Sequence, residues 1–213
     1  ERVGETMRAG RLKREAEELR TRFNRDFWLP DKGIYALALQ GDGTPCSVVS
    51  SNPGQALWGG IVSGNKAGRT VDRLMAPDMF SGWGVRTLSE RERAYDPLGY
   101  HVGTVWPHDN SLIAAGCRRY GFDQAGLDIM TGLFDAARHF NGYRLPELFA
   151  GVDRVNHHDP MWYPAANPPQ AWAAGAIRYL FEIMLGLIPD GLDHRLRIVR
   201  PVLPGFLDEL EVR

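Results

Sequence analysis

What most restricts the fold of this chain is how its helical segments are connected. They come in pairs, with a few residues between members of a pair. Between pairs run long stretches loaded with Trp, Tyr, His, Arg and carboxylates. Residues 5–25 place Leu12, Ala16, Leu19 and Phe23 on one face and Arg and Glu on the other, which predicts an amphipathic helix. Pro53 and Pro107 each stand at the head of a helical pattern, and proline suits the first helical turn, where a missing N–H costs little. Asn65 is expected to cap a helix over 66–74. Gly121 is a natural C′ residue for the helix begun at Pro107. Asp123 is expected to cap the next helix, where Gly126, Ile129, Met130, Leu133, Ala137 and Phe140 recur at helical spacing. The last long helix opens near 169–172, and Ile34–Leu39 reads as extended. After Gly186 the pattern changes: Leu196–Val199 and Leu210–Val212 alternate like strands around Pro201, Pro204 and Gly205. The prediction is an all-α chain with a short β tail. In a ring of helical pairs the short turns share one face and the long loops the other. A site at one mouth of an α/α barrel is therefore expected.

The densest of the long stretches is Tyr100–Asn110, with two histidines, a tryptophan, a carboxylate and an amide. It sets Trp106 at the mouth of a helix and His108, Asp109 and Asn110 on its first turn, where Asp109 is favoured by the helix dipole. Two readings stay open: Asp109 as a cap with Trp106 as a core anchor, or both as parts of a site. Trp58, Trp83, Trp106, Trp162 and Trp172 all fall at helix starts or in long loops. Sugars stack C–H faces on indole, and their hydroxyls need paired donors and acceptors. The same loops supply Arg86, Tyr100, His101, Arg144, Asn167 and Gln170. Core packing is the alternative for any single tryptophan.

Glu147 follows Pro146 between Leu145 and Leu148, an apolar setting that suits a carboxylate for acid–base work. An ion pair with Arg144 is the structural alternative. Glycoside hydrolysis normally takes two carboxylates, and Asp109, Asp96 and Asp159 are the candidates for the second. His157-His158-Asp159 has adjacent positions, which rarely ligate one metal, and neither an HExxH spacing nor a phosphate-binding glycine loop occurs. A G-x-S-x-G elbow is also lacking. No metal or cofactor is expected.

The net charge of −1 over 213 residues offers nothing to capture nucleic acid or an anionic membrane. Cys46 and Cys117 are far apart and unlike in context, which fits a reducing compartment, and no apolar run reaches membrane-spanning length. A cytoplasmic location is expected. A chain opening on Glu1-Arg2 without methionine is expected to be a processed product or a fragment.

Taken together, Ser51-Asn52-Pro53-Gly54, Phe80–Leu88, Tyr100–Asn110, Arg144–Gly151 and Pro169–Gly175 resemble, in order, the motifs of bacterial amylo-α-1,6-glucosidases related to glycogen debranching enzymes. The resemblance implies an inverting glycosidase on an (α/α)6 barrel, a fold shared with trehalases and mannosylglycerate hydrolases. It implies Glu147 as general base. It matches Trp106 and Pro107 to a Trp-Pro motif that shapes the sugar subsite; with the chemistry of the loops, Trp83, Arg86, Tyr100, His101, Trp106, His108, Asp109, Asn110, Arg144, Gln170 and Trp172 are the expected sugar-binding residues. The general-acid aspartate of such enzymes lies in a Trp-Lys-Asp-Ser-like segment that this chain does not contain. The chain thus resembles a C-terminal part, with 1–188 a partial barrel domain and 189–213 a β extension. Its expected partners are an oligosaccharide or glucan and a missing N-terminal part of the same polypeptide. A binding protein without catalysis, or a glycosidase for trehalose or mannosylglycerate, is the alternative.

Overall fold

A computed structural model describes residues 3–211. Six α-helices carry the fold among them: α1 (Thr6–Asp26), α2 (Pro53–Gly59), α3 (Gly64–Leu74), α4 (Pro107–Arg119), α5 (Asp123–Ala137) and α6 (Ala171–Leu185). Pro53 and Pro107 occupy the first helical positions, as their chemistry predicts. Gly121 follows α4 with φ +87°. Two expected caps are corrected. Ser63 precedes α3 and Phe122 precedes α5, so Asn65 and Asp123 lie inside the first turns and cap nothing through their side chains.

α4 is the hub, packed by α2, α5 and α6. Its approach to α2 depends on Gly116, where a Cβ would lie 2.7 Å from Leu57 Cβ and from the Trp58 backbone nitrogen. Across the far end, Trp58 Nε1 donates to Tyr179 Oη of α6 at 2.9 Å. α5 buries Gly126, Ile129, Met130, Leu133, Ala136 and Ala137, the stripe its periodicity predicts. α1 differs. It buries no residue, Leu12 and Leu19 stay exposed, and its C-terminal end docks, where Arg20 and Asn24 donate to the Val62 and Ile61 carbonyls at 3.3 and 2.8 Å and Phe23 stacks on Tyr35 at 4.8 Å.

The helices dominate, the expected tail strand at 196–199 is found at Arg195–Ile198, and two further short antiparallel hairpins add to the all-α expectation. β1 (Trp28–Leu29) pairs with β2 (Ile34–Tyr35), and β3 (Ala38–Leu39) with β4 (Pro45–Cys46). β5 (Leu187–Asp190) pairs with β6 (Arg195–Ile198) in the register Leu187↔Ile198. The tail strand therefore pairs with the residues leaving α6, turned there by Gly186 at φ +63°. Leu210 and Glu211 lie outside any strand, and Val212 lies outside the described residues. The boundary drawn at 188/189 falls inside β5. No helix among the described residues is long and apolar enough to cross a membrane.

The long loops are pinned to one another by single antiparallel bridges, Ser50↔Leu88, Arg86↔Val105, Val105↔Phe149 and Phe149↔Trp162. This strip lies beside the start of α4. The starts of α2, α4 and α6 all open on the same cleft, which Asn52, Trp106, His108 and Trp172 help to line.

Candidate active site

The residues 100–110 build the site outward from one backbone atom. The Tyr100 carbonyl accepts Thr104 Oγ1 at 2.7 Å and Trp106 Nε1 at 3.1 Å, which closes the turn between them. Val105 then pairs with Phe149, and Trp106 keeps extended backbone before Pro107 starts α4. Aromatic rings fill the space above. Trp106 stacks on His101 at 5.4 Å and meets Tyr100 edge-on at 4.8 Å, and His108 stacks on Trp172 at 4.4 Å. They wall a cleft of about 810 Å³ that Ser50, Ser51, Thr87 and Asp109 also line.

Glu147 sits behind this wall, 5% exposed. Its Oε1 accepts the Tyr100 hydroxyl at 2.8 Å and its Oε2 the Asn167 amide at 3.3 Å. The bond to Glu147 is the main reason the Tyr100 hydroxyl holds its proton above the ordinary tyrosine range. Arg144 is exposed while Glu147 is buried against Tyr100 and Asn167, so the ion pair considered as the structural alternative does not form. Burial pushes the His108 imidazole below its ordinary value and outweighs the opposing pull of Asp109 and Glu147. Asp109 lines the cleft and accepts Gln55 Nε2 from α2. Asp96 accepts Leu98 N–H at 2.9 Å within its own turn, and Asp159 pairs with His139 at 2.8 Å. Of the three candidates for a second carboxylate, Asp109 alone lines the cleft.

The structure thus brings together Glu147, Tyr100, His101, Trp106, His108, Asp109 and Trp172. It places the other expected sugar-binding residues elsewhere. Trp83 is 1% exposed in the core, with the Arg154 guanidinium 4.4 Å above its ring. Arg86 is fully buried: Nε donates to the Gly151 carbonyl at 2.6 Å, Nη1 to Pro77 at 2.9 Å, and Nη2 pairs with Glu90 at 2.7 Å. Asn110 is spent on the backbone, donating to the Val85 and Trp106 carbonyls at 3.0 Å and accepting Val85 N–H at 2.6 Å. Gln170 caps α6, its Oε1 accepting Ala171 N–H at 3.1 Å. Arg86, Asn110 and Gln170 are polar side chains taken up by backbone groups of the protein itself. Sequence reasoning did not single out Gln55, whose place in the first turn of α2, beside the mouth of α4, was the available signal.

Solved structures share this fold. The neutral trehalase Nth1 from Saccharomyces cerevisiae superposes with a TM-score of 0.64 at 16% identity, covering 81% of this chain and 30% of the trehalase. A GH63 mannosylglycerate hydrolase from Thermus thermophilus, in complex with glucose, gives 0.56 at 19% identity, covering 73% and 34%. A sialidase gives 0.67 at 14% identity, covering 88% and 18%. The likeness is to the six-hairpin glycosidase fold, and the chain spans about a third or less of the length of each. No curated protein matches the sequence. The family model described as "Mannosylglycerate hydrolase MGH1-like glycoside hydrolase domain" matches residues 1–150, a span that holds Glu147 and all of Tyr100–Asn110. On that match, the chain belongs to the MGH1-like glycoside hydrolase domain family.

Proposed function

We propose that the chain is the base-bearing part of an inverting α-glycosidase that hydrolyses α-1,6-glucosidic branch linkages of glycogen-like glucans, with Glu147 as the general base. The observation that carries this reading is the Glu147 carboxylate, buried behind an aromatic-walled cleft and held on both oxygens by neutral donors. In the reaction Glu147 takes a proton from water as the water oxygen bonds to the anomeric carbon. A second carboxyl group gives a proton to the departing sugar oxygen. Inversion needs the two carboxyl groups about 6.5–9.5 Å apart, leaving room for that water. We place the general acid in a preceding part of the same polypeptide. Trp172, 47% exposed, and the exposed His101 supply faces on which glucose rings stack, backed by His108 and the buried Trp106, and Asp109, held by Gln55, supplies an acceptor for sugar hydroxyls.

The family match supports equally a glycosidase for mannosylglycerate, and the fold likeness extends to a trehalase. A neutral substrate has one point in its favour. The carboxylate of mannosylglycerate would meet Asp109, with no lysine or arginine among the described lining residues to offset the repulsion. The experiment is an assay of the full-length polypeptide on branched dextrin, trehalose and mannosylglycerate, with Glu147→Gln alongside. Glucose release from branched dextrin is expected, and Glu147→Gln is expected to lower kcat about 10²–10⁴-fold while sugar still binds. Near-normal turnover by Glu147→Gln would overturn the base assignment. Turnover of trehalose or mannosylglycerate alone would overturn the linkage. Sugar binding without turnover of any of the three would point to a binding protein.

A further inference from the structure

We propose that Tyr100 is a positioning residue, whose hydroxyl acts with the Asn167 amide to fix the Glu147 carboxylate in the orientation that presents its free lone pairs to the attacking water. This rests on the reading of Glu147 as the general base. A carboxylate has about four acceptor sites. The hydroxyl occupies one on Oε1, at 2.8 Å, and the amide one on Oε2, at 3.3 Å. The two donors reach the group from different loops, so rotation of the carboxylate in either direction breaks a bond. One site on each oxygen remains for water.

Tyr100 is itself held more firmly than an exposed sugar-stacking residue requires. Its carbonyl carries two hydrogen bonds, from Thr104 and Trp106. Its ring is wedged by His101 at 4.6 Å, Trp106 at 4.8 Å and Tyr163 at 5.8 Å. The loop bearing Asn167 is seated by Ala166 and Tyr163, which pack with Trp106 and Leu148, the residue after Glu147. The groups that face Glu147 with a charge or a proton to exchange are Tyr100, His108 and, behind Tyr100, Tyr163. Tyr100 stays a donor because its bond to Glu147 raises its proton affinity. The hydroxyl therefore serves the step through the aim of the carboxylate.

The test is Tyr100→Phe in the full-length polypeptide, which keeps the ring and its packing and removes one oxygen. The expected result is a fall in kcat of about tenfold or more with KM within about twofold, since a hydrogen bond to a charged group is lost. Asn167→Ala is expected to lower kcat by a smaller factor, again with KM nearly unchanged, and it carries the test if Tyr100→Phe fails to fold. A raised KM with kcat unchanged would make Tyr100 a sugar contact and overturn the proposal. Glu147→Gln separates the two levels. If it is inactive while Tyr100→Phe leaves kcat unmoved, only the positioning role falls. If Glu147→Gln turns over normally, the base assignment falls and takes this role with it.

Discussion

Residues 80–88 and 100–110 are neighbours in space, joined by the bridge between Arg86 and Val105 and by Asn110, which holds the backbone of Val85. Each carries a tryptophan and a basic or imidazole side chain within a glycine-bearing turn, yet they do opposite work. In the first, Trp83 and Arg86 point into the protein, and the guanidinium satisfies two carbonyls and pairs with Glu90. In the second, the rings of Tyr100 and His101 are exposed and wall the cleft, with Trp106 buried behind them at 6% exposure and packed on Leu148 and Ala166. The difference teaches that the cleft is shaped by what lies behind it. Arg86 holds the Gly151 carbonyl, and Gly151 follows the strip that ends in Glu147–Phe149, so the inner segment fixes the backbone that presents the outer one.

Arg86→Met gives the largest effect expected from this contrast. It takes Nε from the buried Gly151 carbonyl, which keeps the Tyr95 hydroxyl at 3.2 Å, takes Nη1 from the Pro77 carbonyl, and removes the ion pair with Glu90, at a cost of about 2 kcal/mol. Lysine at this position would recover only part of that, because it lacks the planar fork that reaches both carbonyls. The measurement is the midpoint of urea unfolding at unchanged m-value. A normal midpoint with a raised KM would place Arg86 on the sugar and erase the contrast.

The outer segment is expected to fail in the other way. Trp172 is 47% exposed and stacks its indole on His108 at the cleft. Trp172→Ala should raise KM about tenfold, the scale of one lost aromatic contact, and leave the unfolding midpoint nearly unchanged. A smaller signal comes from pH. Burial lowers the pKa of His108 in the folded state, so its neutral form contributes stability above the unfolded value of 6.5. That contribution is lost as pH falls through the lower, folded value. Thermal stability measured from pH 7 down to pH 5 should therefore decline less in His108→Gln than in the parent. An equal decline in both would mean that the imidazole is not desolvated by its stack on Trp172.

Much of the framework was legible because proline, glycine and helical spacing act locally. Pro53 and Pro107 mark the starts of α2 and α4, and Gly121 follows the end of α4. Periodicity marked α1 equally well, but it said nothing about burial. Leu12 and Leu19 form an apolar face with no element opposite it among the described residues. The hairpins at 28–46 were half visible: Ile34–Leu39 reads as extended and holds β2 and β3, but strands of two residues have no period that would reveal their partners β1 and β4. The site was half legible. Tyr100, His101, Trp106, His108 and Asp109 lie within one stretch, so their convergence follows from the turn and helix start that contain them. Trp83 and Arg86 have the composition of a sugar site, and composition does not encode which side of a strip a residue faces. Asn167 meets Glu147 across 20 residues of loop, a pairing that only the tertiary fold specifies.

The finest discrimination between the two sides comes from the cysteines, which need no substitution to report. Cys46 lines the cleft with the aromatic wall, whereas Cys117 is fully buried on α4. Burial pushes the Cys117 thiol up to about 12, and only the thiolate attacks an electrophile. At pH 8 that leaves about one part in ten thousand of Cys117 ionised, on a sulfur that a reagent cannot reach. A maleimide applied to the native protein is therefore expected to label Cys46 and spare Cys117, with a saturating oligosaccharide slowing the first reaction. Denaturant should make both react. Labelling of Cys117 at the rate of Cys46 in the native state would mean that α4 opens away from its neighbours. The wall built on its first turn would then be mobile, and the division between a rigid inner segment and the cleft it supports would not hold.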